Sequence, residues 1–201
     1  MAFFYTSDLH FMHRMVAGTR GFWADPGVVP DFPAHDAVII RNWNRVVTRY
    51  DITFVLGDLT IQNPRVVWPL LDQLNGRKVL ITGNHDAPFP KHRDAWKHQA
   101  EWMQHFDAVV PHARRLLEGE EVLLSHFPYE GDHTPEDRYT QYRLRDEGLT
   151  IVHGHVHAQE QVTRTTRGTL QIHAGVDAWD MTPVAEAQIM RIIRDERKEA
   201  A

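Results

Sequence analysis

The sequence predicts an α/β protein with a single domain over residues 1–201, and three observations lead to this fold class. Short apolar runs, typical of buried strands, alternate along the chain with helical patterns. A chain of 201 residues can form one sizeable core but is too short for two. With 42% hydrophobic and 24% charged residues, the composition is that of an ordinary globular protein.

Five apolar runs are predicted to be strands, because each is short and ends in glycine or polar residues. They cover residues 3–5, 52–56, 79–81, 122–124 and 151–152. Each run enters a segment that contains Asp, Asn, Ser or His. The strand ends therefore carry side chains that are able to do chemistry.

Helical patterns lie between some of these strands. In residues 34–47 the apolar side chains recur at the three- and four-residue intervals of an amphipathic helix. Residues 94–106 repeat this spacing and place Trp96 on the predicted core face. A helix is also predicted between residues 63 and 74, where Pro69 marks either its start or a kink.

A last helix is predicted near the C-terminus, with Thr182 as N-cap and Pro183 at the first helical position. The residues on its predicted core face are Ala185, Ile189, Ile192 and Ile193. The Gly- and Pro-rich residues 19–33 and the polar residues 131–141 are predicted to be loops.

Charge and composition exclude several classes of protein. The net charge is −5 and no long Lys/Arg run exists, which argues against a broad grip on duplex nucleic acid. The chain has no cysteine, so disulfides and thiolate metal ligands are excluded. The start lacks the basic region of a signal peptide, and no apolar run approaches the ~20 residues that span a bilayer. We expect a cytoplasmic protein without a membrane segment; the sequence does not indicate its oligomeric state.

Side chains with metal-ligand chemistry follow all five predicted strands. They are Asp8, His10, Asp58, Asn84, His85, His126, His155 and His157. Sites in α/β sheets form at the carboxyl ends of strands, so these residues can converge on one place. In extended backbone, residues two apart point to the same side, which would aim the pairs 8/10 and 155/157 together.

The ligand set also indicates the metal. Carboxylate, amide and imidazole ligands without thiolates suit Mn²⁺, Fe or Zn²⁺. The supply exceeds what one ion needs and predicts a two-metal site. Each motif alone is weak, since residues 83–86 by themselves could be a simple turn. The occurrence of all the motifs together, each after a strand, favours a site.

The order Asp-x-His, Gly-Asp, Gly-Asn-His-Asp, His and Gly-His-x-His resembles the calcineurin-like metallophosphoesterases, from Asp8 to His157. This resemblance implies a four-layer α/β/β/α sandwich, in which two facing sheets are flanked by helices. It also implies two divalent metal ions as cofactors, with Mn²⁺ as first choice and Fe, Zn²⁺ or Ni²⁺ as alternatives.

The resemblance further implies seven metal ligands, in two sets that share one carboxylate. The first set is Asp8, His10 and His157, and the second set is Asn84, His126 and His155. Asp58 would bridge both ions. His85 would lie beside the scissile phosphate as an acid or electrostatic stabiliser and would not bind metal.

Residues 8–13, 41–44 and 175–179 resemble more narrowly a small bacterial and phage subgroup of that superfamily. Two residues depart from its pattern. Ser125 stands where many superfamily members have Gly, and His173 stands where the subgroup commonly has Asn. Neither departure removes a ligand, and the second leaves open whether His173 touches the site.

Some residues allow two interpretations. His13 either contacts substrate at the rim of the cleft or packs locally in its loop. Asp86 either orients His85 or caps the following turn, and capping is favoured. His153 is predicted to fill the core or to bond the backbone.

Three groups of side chains receive the simpler structural interpretation. Five histidines outside the motifs are predicted to face solvent: His92, His98, His105, His112 and His133. A phosphate contact is conceivable for the arginines of the polar loop, but a solvated charged face is favoured. The tryptophans in helical patterns are predicted to be core residues; they are Trp43, Trp68, Trp96 and Trp102. The arginines are Arg138, Arg143 and Arg145.

The ligand set predicts a mechanism in which a metal-bound hydroxide attacks phosphorus in line and His85 acts on the leaving oxygen. Short loops predict an open site, which favours small nucleotide phosphodiesters as substrates, including 2′,3′-cyclic nucleotides. A phosphomonoesterase is the next alternative, and a nuclease follows because the chain offers no basic track. A scaffold without catalysis is a further alternative, but such proteins are expected to lose ligands.

Overall fold

The computed structural model describes residues 1–199 and contains twelve strands and five α-helices. The strands are β1 (Phe3–Thr6), β2 (Trp23–Asp25), β3 (Val29–Pro30), β4 (Ile52–Val55), β5 (Arg77–Ile81), β6 (Ala108–Val110), β7 (His112–Leu117), β8 (Glu120–Ser125), β9 (Thr150–His153), β10 (Val162–Arg164), β11 (Leu170–His173) and β12 (Val184–Ala185). The helices are α1 (Arg14–Thr19), α2 (Phe32–Val46), α3 (Trp68–Leu71), α4 (Ala95–Trp102) and α5 (Glu186–Glu199). Among these described helices, none combines the length and the apolar character that crossing a bilayer requires.

Ten of the strands form two five-stranded sheets. The first has the order β12-β1-β4-β5-β6, and its strands are parallel except for β12. The second has the order β10-β11-β9-β8-β7, with three parallel central strands and antiparallel edges. An isolated parallel bridge between Ser7 and Gly175 joins the carboxyl ends of β1 and β11. The central strands of both sheets therefore end in one crevice.

Two apolar clusters hold the layers together. Neighbouring residues of β1 point to opposite faces of the first sheet: Phe4 packs towards the helices and Tyr5 packs between the sheets. The outer cluster includes Trp43 of α2 and Trp68 of α3. The first sheet is thus buried on both faces, as its mostly apolar strands require. The predicted α/β sandwich is confirmed.

The inter-sheet cluster is completed by α5, which contributes Ile189 and Ile193. The outer face of the second sheet is covered differently. Gln171 points away from the buried Ile172, because successive strand residues alternate in direction. Its side chain exchanges two hydrogen bonds with the backbone of Glu130. The polar loop after β8 therefore lies against this outer face.

The structure corrects the predicted start of the C-terminal helix. Thr182 and Pro183 do not begin it, because Val184 and Ala185 pair with β1 as an edge strand. The helix starts at Glu186. Pairing with β1 satisfies backbone groups that a helix would have used, and Pro183 fits just before an edge strand.

The predicted core face of α4 is also wrong. Trp96 is 71% exposed, whereas Ala95 and Trp102 are buried. Trp102 packs edge-on against Trp68, at a ring distance of 5.1 Å. Burying this larger aromatic pair rotates the helix and leaves Trp96 in solvent, beside Lys97. Trp43 and Trp68 are buried as predicted.

The sequence patterns did not predict the short strands and the polar strands. Residues 19–33, predicted as a loop, contain the hairpin β2–β3. β7 alternates exposed and covered residues and carries Arg114 and Arg115, so it has no continuous apolar run. Pro69 lies at the start of α3, after a short 3₁₀ turn (Pro64–Val66), so it marks a helix start.

Candidate metal centre

The loops that leave the strands hold the predicted site residues in a strained backbone conformation. Five of the seven proposed ligands have left-handed φ angles, which non-glycine residues rarely adopt. They are Asp8 (58°), His10 (46°), Asp58 (55°), His155 (73°) and His157 (52°). The pairs 8/10 and 155/157 were predicted to be extended, and this prediction is therefore wrong. Each such residue costs on the order of 1–3 kcal/mol, which the surrounding structure must offset.

The first predicted ligand set comes together at the crevice. Oδ1 of Asp8 lies 3.9 Å from Nε2 of His10 and 3.7 Å from Nε2 of His157. The two Nε2 atoms are 3.1 Å apart. Asp8 Oδ1 is buried and has no hydrogen-bond partner within residues 1–199. Three ligand atoms thus surround one point that a cation would fit.

The second set lies beside the first. Nε2 of His126 is 3.1 Å from Oδ1 of Asn84 and 3.5 Å from Oδ1 of Asp58. Nδ1 of His126 donates to the carbonyl oxygen of Leu56, at 2.7 Å, so Nε2 is the acceptor nitrogen whenever the ring is neutral. The ring of His155 lies 5.1 Å from that of His126. The structure therefore brings together the second predicted set as well.

Asp58 lies between the two sets. Its Oδ2 faces Nε2 of His10 at 3.8 Å, and its Oδ1 faces Nε2 of His126 at 3.5 Å. Nε2 of His85 is 3.9 Å from Oδ2, and the backbone N–H of His85 donates to Oδ1. One carboxylate therefore presents an oxygen to each set.

The charges of the crevice call for a cation. Carboxylate oxygens of Asp8 and Asp58, both buried, lie within 4.8 Å of each other. Burial lowers the pKa of His10 well below its usual value and lowers the pKa of His155 to about 3. These two neutral imidazoles do not offset two buried anions, which are costly without compensating charge. At His157 burial is outweighed by the hydrogen bond to Asp177 and the charge of Asp8, which raise its pKa. The oxygen and imidazole donors fit divalent metal ions.

Asp86 supports the loop that carries Asp58. Its carboxylate accepts the backbone N–H groups of Asp58, Leu59 and Gly83, at 3.1, 3.0 and 2.8 Å. The favoured prediction, a cap on the following turn, is therefore wrong, because the carboxylate ties the loop after β4 to the loop after β5. Burial and then the charge of Asp58 raise the pKa of Asp86 to about 7.

Two carboxylates that were given no role in the sequence interpretation hold histidines of the site. Asp132 contacts Nε2 of His155 at 3.0 Å, and Asp177 lies 3.4 Å from Nδ1 of His157. Asp177 stands within a motif, but Asp132 lies in a polar loop that gave no signal. A metal-ligating histidine typically bonds a carboxylate through its other nitrogen.

Arginines in turn hold Asp132. Arg138 and Arg143 contact its two oxygens at 2.8 and 3.1 Å. Arg143 has only 4% of its side chain exposed, so the favoured solvated face is wrong for this residue. Burial opposes the ionisation of Asp132, but hydrogen bonds from Arg138 and His155 outweigh it and keep its pKa below the usual value. Arg145 is exposed and pairs with Glu147.

A cavity of about 830 Å³ opens onto the crevice. His13 lines it, and Nδ1 of His13 also accepts the N–H of Val16 at the start of α1. His133 is exposed, as predicted, but it lines the same cavity. Its ring lies 5.4 Å from that of His155. Both histidines therefore face the space where a substrate would bind.

His173 lies behind the site. It is buried and stacks on His153 with a ring distance of 5.5 Å. Neither of its ring nitrogens has a hydrogen-bond partner in the described part of the chain. His153 fills the core and bonds the carbonyl oxygen of Gly154, as predicted.

The chain is similar to several known proteins. The family model described as calcineurin-like phosphoesterase matches residues 1–159. The Gene 66 proteins of Mycobacterium phages D29 and L5 are 42% and 40% identical, over 92% and 87% of this chain and 94% and 86% of theirs. An uncharacterized protein of Methanocaldococcus jannaschii is 29% identical over 93% of this chain and 88% of its own. A crystal structure of a protein of unknown function from Aquifex aeolicus matches with a TM-score of 0.67 and 25% identity, over 95% of this chain and 98% of that one.

The role of Asp86 can be tested in the metal-free protein. Asp86→Ala removes the acceptor of three buried N–H groups, each of which costs about 1–3 kcal/mol when left unpaired. We expect the free energy of unfolding in urea, with EDTA present, to fall by about 2 kcal/mol or more. Asp94→Ala is the control, because its exposed carboxylate pairs with the exposed Lys97. Equal losses in the two variants would contradict the role of Asp86.

Proposed function

Because the chain belongs to the calcineurin-like phosphoesterase family, we propose that it is a two-metal phosphodiesterase that hydrolyses small nucleotide phosphodiesters, including 2′,3′-cyclic nucleotides. The family makes it a metal-dependent phosphoester hydrolase. The observation that carries the two-metal proposal is the position of Asp58, with one oxygen towards His10 and the other towards His126.

The proposed ligands follow the two sets described above. Asp8, His10 and His157 would hold one ion, and Asn84, His126 and His155 would hold the other. Asp58 would contribute to both. The orphaned Oδ1 of Asp8 and the bond from Nδ1 of His126 to Leu56, which directs Nε2 towards the site, support this assignment. Mn²⁺ is the proposed metal, with Fe, Zn²⁺ or Ni²⁺ as alternatives, since the donors are oxygen and imidazole nitrogen.

When bound, such ions supply positive charge for the phosphoryl oxygens and make water acidic enough to act as a nucleophile near neutral pH. His85 is proposed to act on the leaving oxygen. It lines the cavity, and its Nε2 lies near Asp58 while 44% of its side chain stays exposed. A ring in this position can contact substrate without replacing a metal ligand. His13 is proposed as a weaker substrate contact at the rim.

The charges around the cavity favour diesters. Arg20 is the only Lys or Arg among the described residues that line it, and its guanidinium is bonded to Asp177 and to the carbonyl oxygen of Asp8. Asp180 adds a negative charge to the wall. A monoester dianion would find no free side-chain cation there, whereas a diester carries only one negative charge. The volume of about 830 Å³ lies in the range of small-molecule sites.

A phosphomonoesterase is the second candidate, because the same two ions would also serve a monoester. Two further alternatives are less well supported. A nuclease would need a basic track for the strand, and the net charge is −5. A scaffold protein without catalysis would not require five strained, left-handed residues in one crevice.

A comparison of two chromogenic substrates tests the proposal. With Mn²⁺, bis-p-nitrophenyl phosphate should be hydrolysed with a kcat/KM at least about 10-fold above that of p-nitrophenyl phosphate, and EDTA should abolish both activities. Faster hydrolysis of the monoester would indicate a phosphomonoesterase. Bound metal without hydrolysis of either ester would indicate a scaffold. Assays with a panel of 2′,3′-cyclic nucleotides then test whether these are the natural class of substrate.

The bridging role of Asp58 predicts an asymmetry between two variants. Asp58→Asn removes the charge that holds both ions, whereas Asn84→Ala removes one neutral ligand of several. We expect Asp58→Asn to lose more bound metal and more activity than Asn84→Ala. Metal content by mass spectrometry and turnover on the diester are the measurements. Equal residual metal and equal activity in both variants would count against the bridge.

The role of His85 can be isolated by the choice of leaving group. His85→Ala should keep its metal and lose turnover by about 10²–10⁴-fold on diesters with ribose hydroxyl leaving groups. The loss should be smaller with p-nitrophenolate, which departs without a proton. An equal loss with both leaving groups would indicate charge stabilisation instead of proton donation. Loss of metal would make His85 a ligand and overturn the assignment.

A further inference from the structure

Arg20 is a cavity residue whose charged group is directed into the protein. Only 5% of its side chain is exposed. Nε and Nη2 bind the two oxygens of Asp177, at 2.7 and 2.6 Å. Nη2 also donates to the backbone oxygen of Asp8 at 2.8 Å, and Nη1 contacts Nε2 of His35 at 3.0 Å. Protein groups therefore take four of the five N–H donors of the guanidinium, and one N–H of Nη1 is left over.

The directions of these hydrogen bonds follow from chemistry. An arginine can only donate, so Nε2 of His35 must accept and its proton must be on Nδ1. Nδ1 then donates to Oδ1 of Asp36 at 2.8 Å. Oδ2 of Asp36 accepts the backbone N–H of Met12 at 3.0 Å. A continuous chain thus runs from Arg20 to the loop that follows β1.

That loop needs external support. Asp8, His10 and Met12 have φ angles of 58°, 46° and 61°, three left-handed non-glycine residues within five positions. Each costs on the order of 1–3 kcal/mol unless the surroundings fix it. The contacts of Arg20 and Asp36 hold this loop at both ends, through Asp8 and through Met12.

On the other side, Arg20 acts on His157 through Asp177. The carboxylate lies 3.4 Å from Nδ1 of His157. A carboxylate that already accepts from a guanidinium also accepts here, so Nδ1 of His157 carries the proton. In the neutral ring the lone pair is then on Nε2, which lies 3.7 Å from Oδ1 of Asp8.

We propose that Arg20 is the positioning residue of the first metal set: it fixes His157 through Asp177, and it fixes Asp8 and His10 through the backbone of their loop. The inference rests on the proposed two-metal function. The inference bears first on one ion, because the side chains of the second set have other partners, although the backbone N–H of His155 donates to Oδ2 of Asp8 at 2.9 Å. His155 is held by Asp132 with Arg138 and Arg143, and His126 is held by Leu56.

This selectivity can be tested by titrating the metal-free protein with Mn²⁺. Binding is followed by calorimetry and by the electron paramagnetic resonance signal of free Mn²⁺. Wild type should bind two ions. Arg20→Gln, Arg20→Lys and Asp177→Asn should each weaken one binding step by about 10–100-fold and leave the other step within about 3-fold. The double variant Arg20→Gln/Asp177→Asn should lose less than the sum of the single losses, because both residues belong to one chain of contacts.

Two control variants frame the result. Arg115→Lys alters another partly buried arginine that bonds a carboxylate, at 2.8 Å from Glu186, and should leave both binding steps unchanged. Asp132→Asn should weaken the step that the Arg20 variants spare. Equal weakening of both steps in the Arg20 variants would overturn the proposal, as would two unchanged steps in variants that keep the wild-type circular dichroism.

A spectroscopic readout needs no metal at all. Long-range ¹⁵N–¹H spectra of the metal-free protein should show His35 and His157 with a proton on Nδ1. Arg20→Gln should shift the Nε2 resonance of His35, because Nε2 loses the guanidinium donor while Oδ1 of Asp36 still accepts from Nδ1. A wild-type His35 with its proton on Nε2 would overturn the hydrogen-bond chain. Wild type that binds fewer than two ions would instead refute the two-metal function, while the spectra would still decide the role of Arg20.

Discussion

Two buried carboxylates, Asp8 and Asp58, lie with oxygens within 4.8 Å of each other, and the architecture of the crevice depends on this pair. Their repulsion in a low-dielectric site has to be offset by positive charge. The adjoining imidazoles of His10 and His155 are kept neutral by burial. The chain thus concentrates negative charge and nitrogen lone pairs where its strands end, and a divalent cation would relieve this repulsion.

Glycines allow the backbone to pass close to these two carboxylates. A Cβ on Gly83 would lie 2.4 Å from Oδ1 of Asp58, and a Cβ on Gly154 would lie 2.6 Å from Oδ2 of Asp8. Real Cβ atoms do not approach so closely. The glycines that precede Asn84 and His155 in the motifs therefore have a steric reason: the backbone must pass directly beside each carboxylate. Left-handed residues then turn the ligands into the crevice.

The features that were predicted correctly from the sequence are those that apolar periodicity and side-chain chemistry determine. The sequence located the five strands that lead into the crevice and grouped the proposed ligands, because parallel strand ends meet at one edge. It failed where long-range packing decides. Pairing with β1 converted residues 184–185 from helix to strand, and the Trp68–Trp102 contact turned Trp96 outward. Asp132 could not be found, because it lies 23 positions from His155 and the polar loop around it carries no pattern.

Asp58 is proposed to be shared by two ions. A crystal structure of the protein soaked in Mn²⁺, with an anomalous difference map, tests this sharing. Two peaks about 3.5–4 Å apart are expected, as in two-metal hydrolases. One oxygen of Asp58 should lie at each peak or a single oxygen between them, with His157 at one peak and His126 at the other. A single peak, or two peaks of which only one contacts Asp58, would contradict the account.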